Sequence, residues 1–184
     1  YLKQTSLLGC PVVDFAKVAQ VYPPDKYQMM IAVGYGKVNQ LRAQRCAEAK
    51  AMGYTLFSYV SPTAVLWDGL ELKENTRIGA HALIQPYSQI GENVFIGSKC
   101  IIGHHSIIKD HCFLAAQVTL GGSVVIEPYS FLGTGSIVRN KVHIAARSVV
   151  GVGAVILKDT REGGVYVAPG AEELNITSDV LSPG

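Results

Sequence analysis

Residues 78–103 read IGAHALIQPYSQIGENVFIGSKCIIG, a stretch in which an aliphatic residue recurs at every sixth position. The same step continues outward in both directions, so that every sixth residue from Val60 to Val150 is Val, Ile or Leu. The residue four positions after each of these is small or β-branched, with Leu70 as the exception. A period of six fits neither an α-helix nor a simple alternating strand, and it is a known β-helix period.

The repeat predicts a triangular prism of short parallel strands. In each hexad the small residue and the following aliphatic residue point inward from a strand, and the residues between strands turn a corner. Three hexads complete a coil, which predicts about five coils stacked at the strand spacing of about 4.8 Å. We therefore predict a mainly β fold, with a parallel β-helix over 60–157, a small α/β domain at 1–59 and a C-terminal strand and tail at 158–184.

The region before residue 60 lacks the hexad and predicts a small, N-terminally incomplete βαβ fragment. Asp14 is expected to cap a short helix. Met29–Val33 and Leu56–Val60 are strand candidates, and Asn39–Met52 is a predicted amphipathic helix with Asn39 as its N-cap.

The turn before that helix, Gly34–Lys37, has the sequence GYGK and does not match the phosphate-cradling GxxxxGK loop. Two interpretations stay open for it. It is either a plain strand-to-helix turn, or a segment in which Gly34 and Tyr35 bind the acceptor substrate.

The outward strand residues on a given face recur every 18 residues. The three sets are Val65, Leu83, Ile101, Thr119, Ile137 and Val155; Arg77, Phe95, Phe113, Phe131 and Val149; and Glu71, Gln89, Ile107, Val125 and His143. An apolar stripe left in water is adhesive, so at least one face is expected to be covered. A homotrimer suits a triangular prism, and a C-terminal segment lying on the face is the alternative.

The composition and charge of the chain exclude several classes of protein. Charged residues are 16% and hydrophobic residues 48% of the chain, with a formal net charge of +2, which excludes intrinsic disorder, collagen and coiled coil. The absence of a basic run predicts no nucleic-acid partner, and the absence of about 18 consecutive uncharged apolar residues predicts no membrane association. Without a CxxC pair or a signal-peptide pattern, we expect a reduced, cytoplasmic chain.

His104 and His105 occupy the third and fourth positions of their hexad, which places them at a corner and outside the core. An imidazole titrates near neutral pH and can take a proton from an attacking amine or hydroxyl. A metal site is the rival interpretation, but ligands stacked on one corner would lie multiples of 18 apart, and no two of the five histidines do. The γ-class carbonic anhydrases stack two histidines two coils apart, whereas the residue 36 positions after His81 is Gln117. We predict no metal site within one chain.

The hexad array resembles the left-handed β-helix of the hexapeptide-repeat acyltransferases. Three segments carry a narrower resemblance: Ile102–Phe113 (IGHHSIIKDHCF), Leu120–Gly122 (LGG) and Val150–Ala154 (VGVGA). They are similar to the sugar O- and N-acetyltransferases that include sialic acid O-acetyltransferases and bacterial nucleotide-aminosugar N-acetyltransferases. The left-handed sense follows from this resemblance alone.

The resemblance implies transfer of an acetyl group from acetyl-CoA to the amine or hydroxyl of a sugar, with a nucleotide-linked amino-deoxy sugar as the expected acceptor. His104 falls on the catalytic base, with His105 beside it. A backbone N–H near Gly121 and Gly122 is expected to bind the oxyanion. The residues expected to contact acetyl-CoA are Phe113, Gly121, Gly122, Phe131, Thr134, Gly151, Val152 and Gly153.

Three features depart from the family pattern. His105 stands where many members place a carboxylate that orients the base, so Asp110 or a backbone carbonyl would have to take that role. Phe113 stands where many members have a second histidine, and the first strand and glycine-rich turn of the N-terminal domain are missing. Two other classes stay open: a γ-carbonic-anhydrase-like metalloenzyme and a non-catalytic trimeric prism.

Overall fold

The N-terminal part of the chain is mainly helical and irregular. The computed structural model describes residues 5–173. Its N-terminal elements are the antiparallel strands β1 (Ser6–Leu7) and β2 (Cys10–Pro11), a 3-10 turn (Phe15–Lys17), and the helices α1 (Val18–Val21) and α2 (Gln40–Ala51). The side chain of Asp14 accepts a hydrogen bond from the Ala16 N–H at 3.0 Å, which confirms the predicted cap.

Two-residue strands begin at Tyr59 and recur as far as Tyr166. In chain order they are β3 Tyr59–Val60, β4 Val65–Leu66, β5 Arg77–Ile78, β6 Leu83–Ile84, β7 Gln89–Ile90, β8 Phe95–Ile96, β9 Ile101–Ile102, β10 Ile107–Ile108, β11 Phe113–Leu114, β12 Thr119–Leu120, β13 Val125–Ile126, β14 Phe131–Leu132, β15 Ile137–Val138, β16 His143–Ile144, β17 Val149–Val150, β18 Val155–Ile156 and β19 Val165–Tyr166.

These strands assemble into three parallel sheets, the faces of a prism. Face 1 has seven strands in the order β3-β5-β8-β11-β14-β17-β19, face 2 has six in the order β4-β6-β9-β12-β15-β18, and face 3 has four in the order β7-β10-β13-β16. Within the repeat each pairing joins residues 18 apart, as in Phe113 with Phe131 and Ile101 with Thr119. We name each corner by the two faces that it joins.

The mainly β, parallel solenoid is confirmed, with about six turns where the hexads predicted about five. The prism continues beyond Val150 through β18, which lies inside the predicted 60–157 range, and through β19, which pairs with β17. The C-terminal strand was predicted at Val165–Gly170 and its paired part is Val165–Tyr166. The left-handed sense and the domain boundaries stay predictions, and the predicted tail beyond residue 173 lies outside the described residues.

The inward aliphatic side chains form one continuous core. Some of the small inward residues donate side-chain hydrogen bonds to backbone carbonyls. The hydroxyl of Ser88 donates to the Gly103 carbonyl at 3.1 Å, and the thiol of Cys112 donates to the Glu127 carbonyl at 3.2 Å. Burial raises the pKa of the Cys112 thiol to about 12, so this cysteine stays protonated and unreactive.

Each corner from residue 75 to residue 153 contains one residue with positive φ, at every sixth position. Only Gly135 and Gly153 among these are glycine; the others include His105, with φ of 58°, and Tyr87, with φ of 62°. A side chain in this region is uncommon outside turns, so the stacked coils and not the local residue type impose the conformation.

Helix α2 is anchored to the prism by a buried arginine. Arg42 is 2% exposed, and its guanidinium donates to the side chains of Asn93 and Asn39 and to the carbonyls of Asn93, His111 and Cys112, at 2.9–3.1 Å. Within residues 5–173 no carboxylate forms an ion pair with it. Burial lowers the pKa of Arg42 to about 10, so it remains a cation near neutral pH.

The predicted N-cap role of Asn39 is wrong. Asn39 has φ of 65° and makes no side-chain cap; its amide nitrogen donates instead to the carbonyls of Tyr129 and Ser130 on the prism. The long-range bonds hold the side chain away from the first turn of α2.

The predicted βαβ unit is not confirmed as a sheet, although its two ends pair in the predicted parallel order at one bridge. A single parallel bridge between Met29 and Leu56 replaces the two predicted strands, and β3 belongs to the prism. The N–H of Ile31 donates to the Asn75 side-chain oxygen at 2.7 Å, and the Ile31 carbonyl accepts from the Asn75 amide nitrogen at 3.2 Å. An asparagine side chain thus occupies the backbone groups that a neighbouring strand would need.

We expect Arg42→Ala to lower the free energy of unfolding by about 3 kcal/mol, because a buried acceptor that loses its donor costs roughly 1–3 kcal/mol. Urea denaturation measures the loss, and hydrogen exchange should locate it in α2. Arg45→Ala on the same helix removes an exposed pair with Glu48 and should cost about 1 kcal/mol or less. Equal losses for the two variants would contradict the anchoring role.

Candidate active site

The two corner histidines lie together at the 2–3 corner, between β9 and β10. Both side chains are exposed, which confirms that the pair is not core packing. The positive φ of His105 turns its ring toward its neighbour, and the Nδ1 atoms of His104 and His105 are 3.0 Å apart.

An Nδ1–Nδ1 hydrogen bond contains one proton, and the tautomer decides which of the two rings donates it. When His104 carries it, His104 donates to His105 and the Nε2 atom of neutral His104 has a free lone pair. That is the form of imidazole that can accept a proton. The predicted alternative of Asp110 as the orienting group is wrong: its carboxylate lies on the 3–1 corner and accepts from the Glu92 N–H at 2.9 Å.

Residues one coil below contact both histidines, the first through its backbone and the second through its ring. The backbone N–H of His104 donates to the side-chain oxygen of Gln85 at 3.0 Å. The ring of Tyr87 lies 4.8 Å from that of His105, centroid to centroid. Gln85 and Tyr87 are not among the residues predicted from the sequence, although the 18-residue step from Tyr87 to His105 could have identified the second.

Gly122 lies directly against the His104 ring. A Cβ atom at this position would be 2.6 Å from both Nε2 and Cε1 of His104, so only glycine leaves the imidazole its place. The Gly121 N–H is already bonded to the Val138 carbonyl at 2.9 Å. Of the two predicted oxyanion donors, Gly122 is therefore the one whose N–H is not spent on the backbone ladder within the described chain.

The predicted cofactor-binding residues fall into two further groups on this chain. Phe113 and Phe131 stack with Phe95 on the outer side of face 1, and Tyr35 covers them at 5.5 Å and 4.5 Å between ring centroids. Tyr35, which was predicted with Gly34 to bind substrate, thus contacts two predicted cofactor residues.

The second group lies on the 1–2 corner. The Thr134 carbonyl accepts a hydrogen bond from the Gly153 N–H at 2.9 Å, and Gly151 and the exposed Val152 precede Gly153. Face 2 separates this corner from the histidine pair. A single chain therefore does not bring the predicted base and the 1–2 corner residues together.

Residues 5–173 contain no group of three or more His, Cys, Asp or Glu side chains placed to hold a metal ion. Over the same part of the chain, no helix is long and apolar enough to cross a membrane.

The prism fold has solved counterparts. A mutant of perosamine N-acetyltransferase from Caulobacter crescentus, solved with CoA and GDP-perosamine, is 26% identical with a TM-score of 0.84, over 90% of this chain and 78% of that one. PerB from the same organism, solved with the same two ligands, is 27% identical with a TM-score of 0.83, over 89% and 78%. The acetyltransferase domain of PglB from Neisseria gonorrhoeae FA1090 shares the fold at 24% identity and a TM-score of 0.83, over 93% and 82%.

These counterparts share the prism fold and include a sugar acetyltransferase. The predicted resemblance of the chain to hexapeptide-repeat sugar acetyltransferases is thus confirmed. The family model described as the GMPPB C-terminal domain matches residues 72–175, more than half of the chain, and the chain belongs to this family. A comparison with curated protein sequences gives no match.

We expect Gly122→Ala to displace the His104 ring, because the new methyl group would occupy the space of Nε2 and Cε1. The His104 imidazole resonances in NMR spectra should move while the fold is retained. Gly170→Ala, where an added Cβ meets nothing within 4 Å, is the matched control. An unchanged His104 signal in Gly122→Ala would show that the ring is not held there.

Proposed function

We propose that the chain is an acetyl-CoA-dependent acyltransferase that acetylates the amine of a nucleotide-linked amino-deoxy sugar. The observation that carries the proposal is the His104–His105 pair over Gly122, on a fold whose counterparts at 26–27% identity were solved with CoA and GDP-perosamine. A sugar hydroxyl is the alternative acceptor, and the amine is favoured because one counterpart is named a perosamine N-acetyltransferase. The cytoplasmic location stays a prediction.

His104 acts as general base in the proposed reaction. Its Nε2 atom takes a proton from the acceptor nitrogen as that nitrogen attacks the thioester carbonyl. In the tautomer that this reaction requires, His105 accepts the Nδ1–H of His104, which leaves the Nε2 lone pair of His104 free and stabilises the imidazolium that forms.

Collapse of the tetrahedral intermediate completes the transfer. The Gly122 N–H supports the oxyanion, the nitrogen–carbon bond has formed, and the carbon–sulfur bond breaks. His104 then returns its proton to the CoA thiolate. No acyl-enzyme is needed, and Cys100 and Cys112 are both buried with raised pKa values.

A homotrimer would complete the site. Face 2 presents an apolar stripe whose Ile101, Ile137 and Val155 are 40%, 45% and 56% exposed. Packing this face against another copy would bring the 2–3 corner of one chain, with the histidines, toward the 1–2 corner of the next, with Thr134 and Gly153. The three-fold shape of the prism favours a closed ring of three.

We expect His104→Ala to lower the rate of acetyl transfer to GDP-perosamine at least about 100-fold, the usual contribution of a general base. CoA-thiol release measures it, and acetyl-CoA binding and assembly should persist. His105→Ala should cost less, and His105→Asp should retain more activity than His105→Ala because a carboxylate also accepts from Nδ1–H.

His143→Gln, an exposed histidine on face 3, is the matched control and should leave the rate unchanged. Equal losses in His104→Ala and His105→Ala would contradict the assignment of a single base.

We expect Ile137→Asp to dissociate the trimer, because it places a charge in the apolar stripe of face 2. Light scattering after size exclusion measures the mass, and acetyl transfer should fall with it. Val21→Asp, equally apolar and 53% exposed on α1, should leave the mass unchanged. A monomeric wild-type chain that transfers acetyl groups would overturn the shared site.

A further inference from the structure

Face 3 begins one coil later than faces 1 and 2, and a cleft lies beside its first strand. Leu72 continues the aliphatic hexad, yet Glu71 and Leu72 form no strand, so face 3 starts at β7. Segment Trp67–Lys73 has no strand, and its Trp67, Leu70 and Leu72 side chains pack against the core. A cleft of about 550 Å³ lies between this segment and the strands β7 and β10. That volume is within the usual range for small-molecule sites.

Two aromatic rings form one wall of the cleft. The ring centroids of Trp67 and Tyr87 are 5.6 Å apart. The indole of Trp67 is fixed against the backbone of Gly69, where a Cβ would come within 2.1 Å of the ring. Tyr87 is 62% exposed, so its ring is open to a ligand.

The polar side chains that line the cleft fall into two groups, with and without a partner in the structure. Lys109 forms an ion pair with Glu127, and the Asp110 carboxylate accepts a hydrogen bond from the Glu92 N–H. Glu71, Lys73 and Gln89 also line the cleft, and within residues 5–173 their side chains form no hydrogen bond or ion pair.

The indole N–H of Trp67 is buried and has no acceptor in the same part of the chain. Aromatic faces beside unengaged carboxylate, amide and ammonium groups suit a pyranose. Its C–H faces pack on aromatic rings, and its hydroxyls both donate and accept hydrogen bonds.

The aromatic wall leads to the histidine pair. Tyr87 contacts the ring of His105 at 4.8 Å, and His105 is hydrogen-bonded to His104. We propose that this cleft binds the pyranose ring of the acceptor against Trp67 and Tyr87, beside the catalytic base. The proposal rests on the acetyl transfer proposed above, and it assigns the sugar-binding side of that reaction to face 3.

Trp67 is the only tryptophan of the chain, so its fluorescence reports directly on the cleft. We expect GDP-perosamine to change the fluorescence saturably and GDP alone to leave it unchanged. Tyr87→Ala should weaken the apparent affinity about tenfold, which corresponds to about 1.4 kcal/mol. Tyr129→Ala is the matched control: Tyr129 has the same positive φ and lies over a histidine, His111, but at the 3–1 corner, and its removal should leave the affinity unchanged.

Steady-state kinetics give a second readout. Trp67→Ala should raise KM for GDP-perosamine about tenfold and leave KM for acetyl-CoA unchanged. Trp67→Phe, which keeps an aromatic face, should recover most of the loss.

The outcomes separate the cleft from the reaction. A saturable fluorescence change that Tyr87→Ala weakens, without acetyl transfer, would support the cleft and overturn the proposed function. Transfer without a fluorescence change, a change produced equally by GDP, or equal effects of Tyr87→Ala and Tyr129→Ala would overturn the cleft as the sugar site. Neither transfer nor binding would overturn both.

Discussion

Strands of the prism pair in parallel with a register of 18 residues, and this register decides which side chains meet. Parallel hydrogen bonds place each residue over the residue one coil earlier, so side chains 18 apart become contacts. Phe95 and Phe113 stack at 4.2 Å with nearly parallel rings for this reason, and Tyr87 lies under His105 by the same rule. On this fold, the side chain 18 residues earlier is therefore a direct neighbour of a functional side chain.

The register also explains why the candidate site is built from corners. The strands have only two residues, and one of the two always points into the core, so a face offers one outward side chain per coil. A corner offers several adjacent residues and a repeated positive φ, which rotates neighbouring side chains toward each other. The His104–His105 hydrogen bond depends on that rotation, and Gly122 provides the space for it one coil above.

The core and the corner position of the histidines could be predicted because both are properties of one hexad. Features that depend on contacts between residues distant in the sequence could not be predicted. Asn39 has the residue type and position of an N-cap, but its amide bonds to carbonyls 90 and 91 residues away. The cleft depends on a strand that does not form although Leu72 fits the hexad. The Nδ1–Nδ1 bond depends on a positive φ at His105 that no glycine or asparagine signals.

The anchoring of helix α2 has a consequence for acid tolerance. Arg42 is bound by amides and carbonyls, so protonation of carboxylates leaves its partners unchanged. The amide oxygen of Asn93 accepts from Arg42, and its nitrogen therefore faces the Nδ1 atom of His111 as a donor, at 2.9 Å. Burial holds the pKa of His111 below its ordinary value, so the unfolded chain binds this proton more readily, and stability declines as the pH falls through the histidine range. Protonation of His111 at Nδ1 would place an N–H donor opposite the Asn93 amide donor. Among the uncharged groups that surround the Arg42 guanidinium, His111 is therefore the one that is sensitive to acid.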